Sequence, residues 1–514
     1  MTDAYLGPAV GGTVARLAGM RVATGLAIAL FAASCSSSPL HSSQFGFANG
    51  EFEDVIEDHP ELLAVSEAFD RLVSPVPSEE ERERQLDLFS EVFLVAYTDY
   101  VEPVTAREMV DLAVAGFEAA AGNAKLGELA GADGTGASVG AEGVAAGNLM
   151  SAGLSRMLSD LDPHSAFLTA DDYREMKLRT RGEFGGIGIE VTMQDGLVKV
   201  VAPIEGTPGD RAGILAGDLI TRVDDHPIMG LTLSEAVRLM RGPAGSPVVL
   251  AIKRPPAEES FEVSIERDIV RILAVRSRRE GNVAYLRITT FNERAEEGLR
   301  RAMKELRREI GYDQLGGVVL DLRNNPGGLL DQALGVSDAF LSGGEIVSTR
   351  TRDDGVVRRY SAVRGDIAEG LPIYVLINGG SASAAEIVSG ALQDHDRATI
   401  IGERSFGKGS VQTIMPISAG AAVRLTTARY YTPSGRAIQL TGIVPDIVAD
   451  IDDSGRTREA DLEHALAAEA ELDASGSQDL EAVCPDVSEA EDPVLACALV
   501  MIEESATLAA SPVD

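Results

Sequence analysis

The sequence predicts an α/β protein in which an N-terminal helical region and an inserted β-rich domain accompany a larger domain of helices packed on a sheet. Three observations carry this expectation. Apolar residues recur at spacings of three and four over 52–180, alternate over 181–270, and fall into successive strand-like and helix-like runs over 271–450. The chain has 514 residues, 45% of them hydrophobic, which is more than one core accommodates.

Residues 1–35 have the pattern of an export signal. Arg16 and Arg21 precede "VATGLAIALFAAS", an apolar run that is short for a bilayer span but suits a signal. The run leads to "AASC", and small residues before Cys35 resemble the lipidation box of bacterial lipoproteins. Ala32 stands where such boxes usually carry Leu, so simple secretion, a start at Met20 and a buried apolar helix stay open as readings. Ser-rich residues 36–51 read as a linker. Within 52–180, "HPELLAVSEAFDRLV" and "QLDLFSEVFLVAYTDYV" read as amphipathic helices, and the Gly/Ala run Ala130 to Gly147 as an exposed loop. Over 181–270, short Val/Ile-rich strands are punctuated by glycine and Asp-Gly turns, "LSEAVRLMRG" is one helix, and "PVVLAIKR" is a closing strand. Over 271–450, "GVVLDL", "PIYVLI" and "ATIIG" alternate with "LLDQALGVSDAFL" and "AAEIVSGALQDH", the order of strands and helices in an α/β sheet. The acidic tail 451–514 reads as helical and peripheral.

A net charge of −35, from 80 acidic and 45 basic residues, argues against nucleic acid as a partner, because phosphate binding needs a basic surface. No Cys-x-x-Cys or Cys/His cluster supports a zinc site, and no cofactor is expected. Cys484 and Cys497 can close a short loop in an oxidising compartment; two free thiols are the alternative.

The stretch "GERSFGKGS", Gly402 to Ser410, is one residue from a phosphate-binding loop. Such a loop needs Ser or Thr straight after the lysine and then a helix start. Here Gly409 follows Lys408, and the β-branched "SVQTIMPI" suits a strand. A desolvated lysine has another use, as a general base. Its nucleophile is offered by "INGGSASAAE", where an apolar strand ends and a helix begins. Ser383 stands at that junction, beside the free N–H groups of a helix start that can stabilise an oxyanion. A Ser-His-Asp triad would need His395 with Asp394 or Asp396. A helix from Ala384 to Asp394 puts His395 about 17 Å along the axis at 1.5 Å per residue. His164 in "DPHS" reads as a turn residue.

Four motifs, "SDLDPHSAFL", "VVLDLRNNPGGLL", "GSASAAEIVSGALQD" and "IIGERSFGKGSVQ", resemble those of the carboxyl-terminal processing, or tail-specific, proteases with an inserted PDZ domain. The resemblance runs from roughly Leu158 to Asp446. It implies Ser383 as nucleophile, Lys408 as base 25 residues on (408 − 383), and Gln412 as the residue orienting that lysine. It also implies an oxyanion hole from the N–H groups of Ala384 and Gly328, with Gly327 the alternative to Gly328. For Lys408 to be neutral near pH 7 its pKa must fall by roughly three units.

The "GGIGIEV" stretch resembles the carboxylate-binding loop of PDZ domains, which implies that Gly186, Ile187, Gly188 and Ile189 receive a substrate tail while Leu233, Val237 and Met240 line the facing helix. The expectation is therefore a serine endopeptidase of the bacterial envelope, on the periplasmic side and lipid-anchored to the membrane. It would act on protein substrates with apolar or disordered C-termini, with room for an adaptor and for a homo-oligomer. A PDZ adaptor on a catalytically silent protease scaffold is the competing reading.

Overall fold

A computed structural model describes residues 51–510, apart from 132–143, 353–356, 450–456, 470–475, 488–489 and the single positions 195, 205, 258, 272 and 364. The expected export signal, Cys35, the linker and most of the Gly/Ala loop therefore lie outside the described residues.

Five helices open the described chain: α1 (Phe52–Asp58), α2 (Leu63–Leu72), α3 (Glu79–Asp99), α4 (Ala106–Gly131) and α5 (Ala146–Ser159). Their apolar stripes meet in a core built on the fully buried Phe69, Phe89, Phe93 and Phe117. Ser78 caps α3, its hydroxyl accepting from the Glu81 N–H at 3.3 Å. A short strand, β1 (Ala166–Leu168), and α6 (Ala170–Thr180) lead out of the region.

The β-rich domain begins with β2 (Glu183–Gly186), β3 (Ile189–Gln194) and β4 (Leu197–Pro203). It continues through α7 (Pro208–Arg211), β5 (Leu219–Val223), β6 (His226–Pro227), α8 (Leu233–Met240), β7 (Pro247–Lys253), β8 (Ser260–Glu266) and β9 (Asp268–Arg271). The sheet order is β3-β4-β5-β7-β8, with β6 on β5, so β3 is an edge strand. Strands β2 and β9 pair antiparallel where the chain enters and leaves, which closes the insertion at its neck.

The third region holds β10 (Val275–Glu280), β11 (Val283–Ile288), α9 (Ala295–Ile310), β12 (Gly317–Asp321), α10 (Leu330–Asp338), β13 (Gly344–Arg350), β14 (Val357–Ala362) and β15 (Ile373–Ile377). It goes on with α11 (Ala384–Asp394), β16 (Thr399–Gly402), β17 (Ser410–Pro416), β18 (Ala422–Tyr431) and β19 (Ile447–Val448). Beyond it come β20 (Gln478–Asp479), α12 (Leu480–Val483) and α13 (Pro493–Ala510). One sheet runs β10-β11-β12-β15-β16-β19-β20, parallel from β11 onward. A second runs β1-β18-β13-β14, with β17 also on β18. The helical region is thus not a separate body, because β1 pairs with β18, and Val423 and Leu425 of β18 enter the helical core.

Strand residues alternate between the two faces of the parallel sheet. Ala284, Leu286, Val318, Leu320 and Val375 pack under α9, α10 and α11, while Val283, Tyr285, Val319, Tyr374 and Ile401 face the other way. That second face is covered by the tail, through Val494, Cys497, Ala498 and Ile502 of α13. The tail is therefore structural and not peripheral, because a parallel sheet needs both faces shielded. A disulfide joins Cys484 to Cys497, with Cα atoms 5.6 Å apart, and holds α12 against α13.

Candidate active site

Strands β11, β12, β15 and β16 end side by side, and the loops beyond their carboxyl ends carry the candidate chemistry. After β15 the chain turns through Asn378–Ala382 into α11, whose N-cap is Ser383. The Ser383 backbone lies at φ 52° and ψ −110°, a region that costs a non-glycine residue about 1–3 kcal/mol and persists only where neighbours enforce it.

Those neighbours come from the adjacent loop, "RNNPGG" after β12. Asn325 donates its amide to the Ile288 carbonyl (2.9 Å) and accepts the Ala382 N–H on its own carbonyl (2.9 Å). The Asn378 amide oxygen accepts from the N–H groups of Asn324 (2.9 Å) and Gly380 (3.1 Å), and its nitrogen donates to the Asn324 side chain (3.0 Å). Ser381 ties the turn to Leu322 (2.9 Å).

The centre of the arrangement is Glu386, fully buried one turn into α11. One carboxylate oxygen accepts from the Ser383 N–H (2.6 Å) and the Lys408 N–H (3.0 Å). The other accepts from the Ser405 hydroxyl (2.6 Å) and the Gly407 N–H (2.7 Å). The backbones of the predicted nucleophile and base are thereby held by one group. Burial pushes the Glu386 carboxyl up to about 7, against the opposing effect of these four donors. A raised carboxyl pKa costs stability once the group ionises, so the cost is absent below the ordinary glutamate range and complete above about pH 7.

Lys408 lies in the extended loop between β16 and β17, and its side chain is half-buried. Desolvation pulls its pKa down from 10.5 to about 8; the Glu459 carboxylate opposes this, Arg424 reinforces it, and Asp162 and Glu386 oppose it more weakly. No helix start follows the lysine, since Ser410 begins β17. No hydrogen bond links Ser383 Oγ with Lys408 Nζ in this conformation. Gln412 donates to the hydroxyls of Ser410 (2.9 Å) and Thr426 (3.4 Å) and not to Lys408, and the register of β17 against β18 shifts between Val411 and Gln412.

The glycines after Pro326 separate clearly. The Gly327 N–H is already donated to the Asn325 side chain (2.9 Å), whereas the N–H groups of Gly328 and Ala384 have no acceptor among the described residues. Gly327 instead provides clearance: a Cβ there would stand 2.9 Å from Ser383 Cβ and 3.0 Å from the Ala384 nitrogen. Its φ of 96° also favours glycine.

Of the histidines, His395 caps the far end of α11, where it meets the Glu345 carbonyl (2.7 Å), so it cannot serve Ser383. His164 does sit in a turn, its N–H on the Asp162 carboxylate (2.8 Å), and its ring also meets Glu459 (2.9 Å). Glu386, Glu459 and Asn325 were not anticipated. The spacing Ser383-x-x-Glu386 is the sequence signal of a capping box and could have pointed to the first of them. Among the described residues no cluster of three or more His, Cys, Asp or Glu could hold a metal.

In the β-rich domain, Ile187 and Met240 lie in the core, and Ile189, Leu233 and Val237 are partly buried against it. Gly188 has φ 73° and abuts Thr207, and the N–H groups of Ile187 and Gly188 have no acceptor among the described residues.

A strained serine at a strand-to-helix turn beside a desolvated lysine, with a β-rich domain inserted ahead of them, is the arrangement of a serine peptidase. The peptidase family S41 profile matches residues 282–449, and a PDZ domain profile matches residues 199–254. A carboxy-terminal-processing protease of Bartonella bacilliformis is 56% identical over 297 residues, 58% of this chain and 68% of that one. A carboxyl-terminal-processing protease of Synechocystis sp. is 35% identical over 305 residues, 58% of this chain and 70% of that one. Among solved structures, the photosystem II D1 C-terminal processing protease is 30% identical, with a TM-score of 0.43 over 71% of this chain and 92% of its own. The chain belongs to peptidase family S41, as a carboxy-terminal-processing protease with a PDZ domain.

Replacing Gly327 with Ala should lower kcat at least about 100-fold, the order lost with an oxyanion donor, because the added methyl fills the space before Ser383. Hydrolysis kinetics with circular dichroism check this: a folded, fully active Gly327→Ala protein would refute the geometry.

Proposed function

We propose that the protein cleaves its substrates through a Ser383–Lys408 dyad and recognises their C-terminal tails with the PDZ domain. The observation that carries this reading is the shared Glu386 carboxylate, which fixes the backbones of both residues beside two unoccupied N–H groups. Ser383 Oγ attacks the scissile carbonyl while Lys408 Nζ takes the hydroxyl proton. The N–H groups of Ala384 and Gly328 receive the oxyanion. Collapse of the tetrahedral species expels the amine, which takes its proton from Lys408. Water then attacks the acyl-enzyme, with Lys408 again as base, and Ser383 is regenerated. Gln412 belongs to this reading as the residue that steadies Lys408 once the side chains close up; candidate catalytic contacts are commonly loose without substrate.

Tail recognition has its own support. Strand β3 has a free edge, and α8 places Leu233 and Val237 on the same core as Ile189. The Arg241 guanidinium stacks 4.7 Å over the Phe184 ring beside Gly186, with no ion pair among the described residues. A terminal carboxylate would meet the Ile187 and Gly188 N–H groups there, with that cation nearby. For location, the reading is a periplasmic protein held to the membrane by lipid on Cys35.

Dyad catalysis requires neutral Lys408, so kcat/KM should rise about tenfold per pH unit below pH 8 and level off above it. Ser383→Ala and Lys408→Ala should each remove cleavage of an unfolded protein with an apolar C-terminus, followed by intact mass. Activity retained in either variant would sink the dyad. Binding of that tail peptide should weaken at least about tenfold when its carboxylate is amidated, measured by calorimetry; equal affinities would refute carboxylate capture. Cys35→Ser should move the protein from the membrane pellet to the soluble or precursor fraction, and unchanged pelleting would refute lipidation.

A further inference from the structure

Glu459 is among the buried acids that this mechanism does not use. Glu459 opens a short 3-10 turn, Glu459–Asp461, in the C-terminal segment, and it is fully buried. Its carboxylate is shared by the His164 ring, 2.9 Å from each oxygen, and the Gln439 side-chain nitrogen at 3.1 Å. Both connections lead to Lys408. The Gln439 oxygen accepts the N–H of Gly409 (3.0 Å), the residue after the lysine, and the Glu459 N–H donates to the carbonyl of Phe406 (3.2 Å), two residues before it. The loop carrying Lys408 is thus clasped on both sides by groups that depend on Glu459.

The side chain of Lys408 enters the same enclosure. Asp162 acts on it from the turn before β1, Arg424 from β18, Glu386 from α11 and Glu459 from the C-terminal segment; His164 joins Asp162, Arg424 and Glu459, and Arg404 feels the charges of Arg458 and Glu386. Asp162 is held by Ser165 (2.5 Å) and Thr426 (3.0 Å) and Glu386 by its four donors, while Glu459, held by His164 and Gln439, is the carboxylate whose charge acts most strongly on the ammonium.

We propose that Glu459 is a positioning residue for the base: held between His164 and Gln439, it anchors the loop that presents Lys408 and supplies the principal negative charge facing its ammonium. The C-terminal segment is on this account part of the active site. The proposal rests on the dyad reading, so its test needs a readout that does not pass through cleavage.

The sequence contains six lysines, so the full-length protein labelled with 13C at lysine Cε gives few signals, and a Lys408→Met spectrum assigns the one in question. In Glu459→Gln the Lys408 titration midpoint should fall by about one pH unit, the order by which a nearby opposite charge shifts a pKa. The acid limb of kcat/KM should move down with it, while kcat at the plateau drops and KM stays within about twofold. Glu459→Asp, which keeps the charge on a shorter arm, should show a smaller fall in midpoint and a partial recovery of kcat; it decides the matter if Glu459→Gln does not fold. A folded variant with an unmoved Lys408 midpoint overturns the proposal. If the wild type cleaves nothing, the dyad reading fails while the lysine titration still answers the question about Glu459.

Discussion

The candidate site depends on a single buried carboxylate. Glu386 accepts four hydrogen bonds from groups that lie apart in sequence, and an ionised acid withdrawn from water persists only when so satisfied. Protonation would turn one acceptor into a donor facing donors. Burial raises the Glu386 carboxyl and lowers the Lys408 ammonium, so rising pH favours the ionised form of the first and the neutral form of the second. The stability given up in burying Glu386 is greatest where the site is poised to work, as in other sites where function and stability compete.

Around that carboxylate, two glycine-bearing loops are locked by asparagines. Asn325 and Asn378 each serve as both donor and acceptor, so the turn before Ser383 and the turn before Gly328 cannot shift independently. This interlock maintains the unfavourable backbone of Ser383 and leaves two N–H groups unspent in a structure where such groups are nearly always paired. Preorganised donors of this kind cost nothing to reorient when charge develops.

Much of this was legible in the sequence because strand and helix periods, Gly-rich turns and the residues at their junctions are local properties. The position of Ser383 follows from an apolar strand, two glycines and a helix start; that of Lys408 follows from glycines flanking a lysine ahead of a strand. What stayed hidden was pairing across distance. Glu386 reads as one more helix residue until Lys408 is seen to return to it from 22 residues away, and Glu459 lies in acidic sequence that looks solvated. That the Gly327 N–H has an acceptor depends on where the Asn325 side chain points, which no local pattern states. Gln412 is a further case: its partners are Ser410 and Thr426, on a strand whose register shift no periodicity reveals. The tail misled for a related reason: Val494, Cys497, Ala498 and Ile502 have helical spacing, but nothing local says that a sheet face awaits them.

That covering of the sheet by α13 has a consequence in time. A ribosome releases Ser383 and Lys408 well before residues 494–502, so for part of synthesis the strands that carry the nucleophile turn have one apolar face bare. Without residues 494–502 that face would meet water, and the sheet that carries the turn before Ser383 would lose one of the two layers a parallel sheet needs.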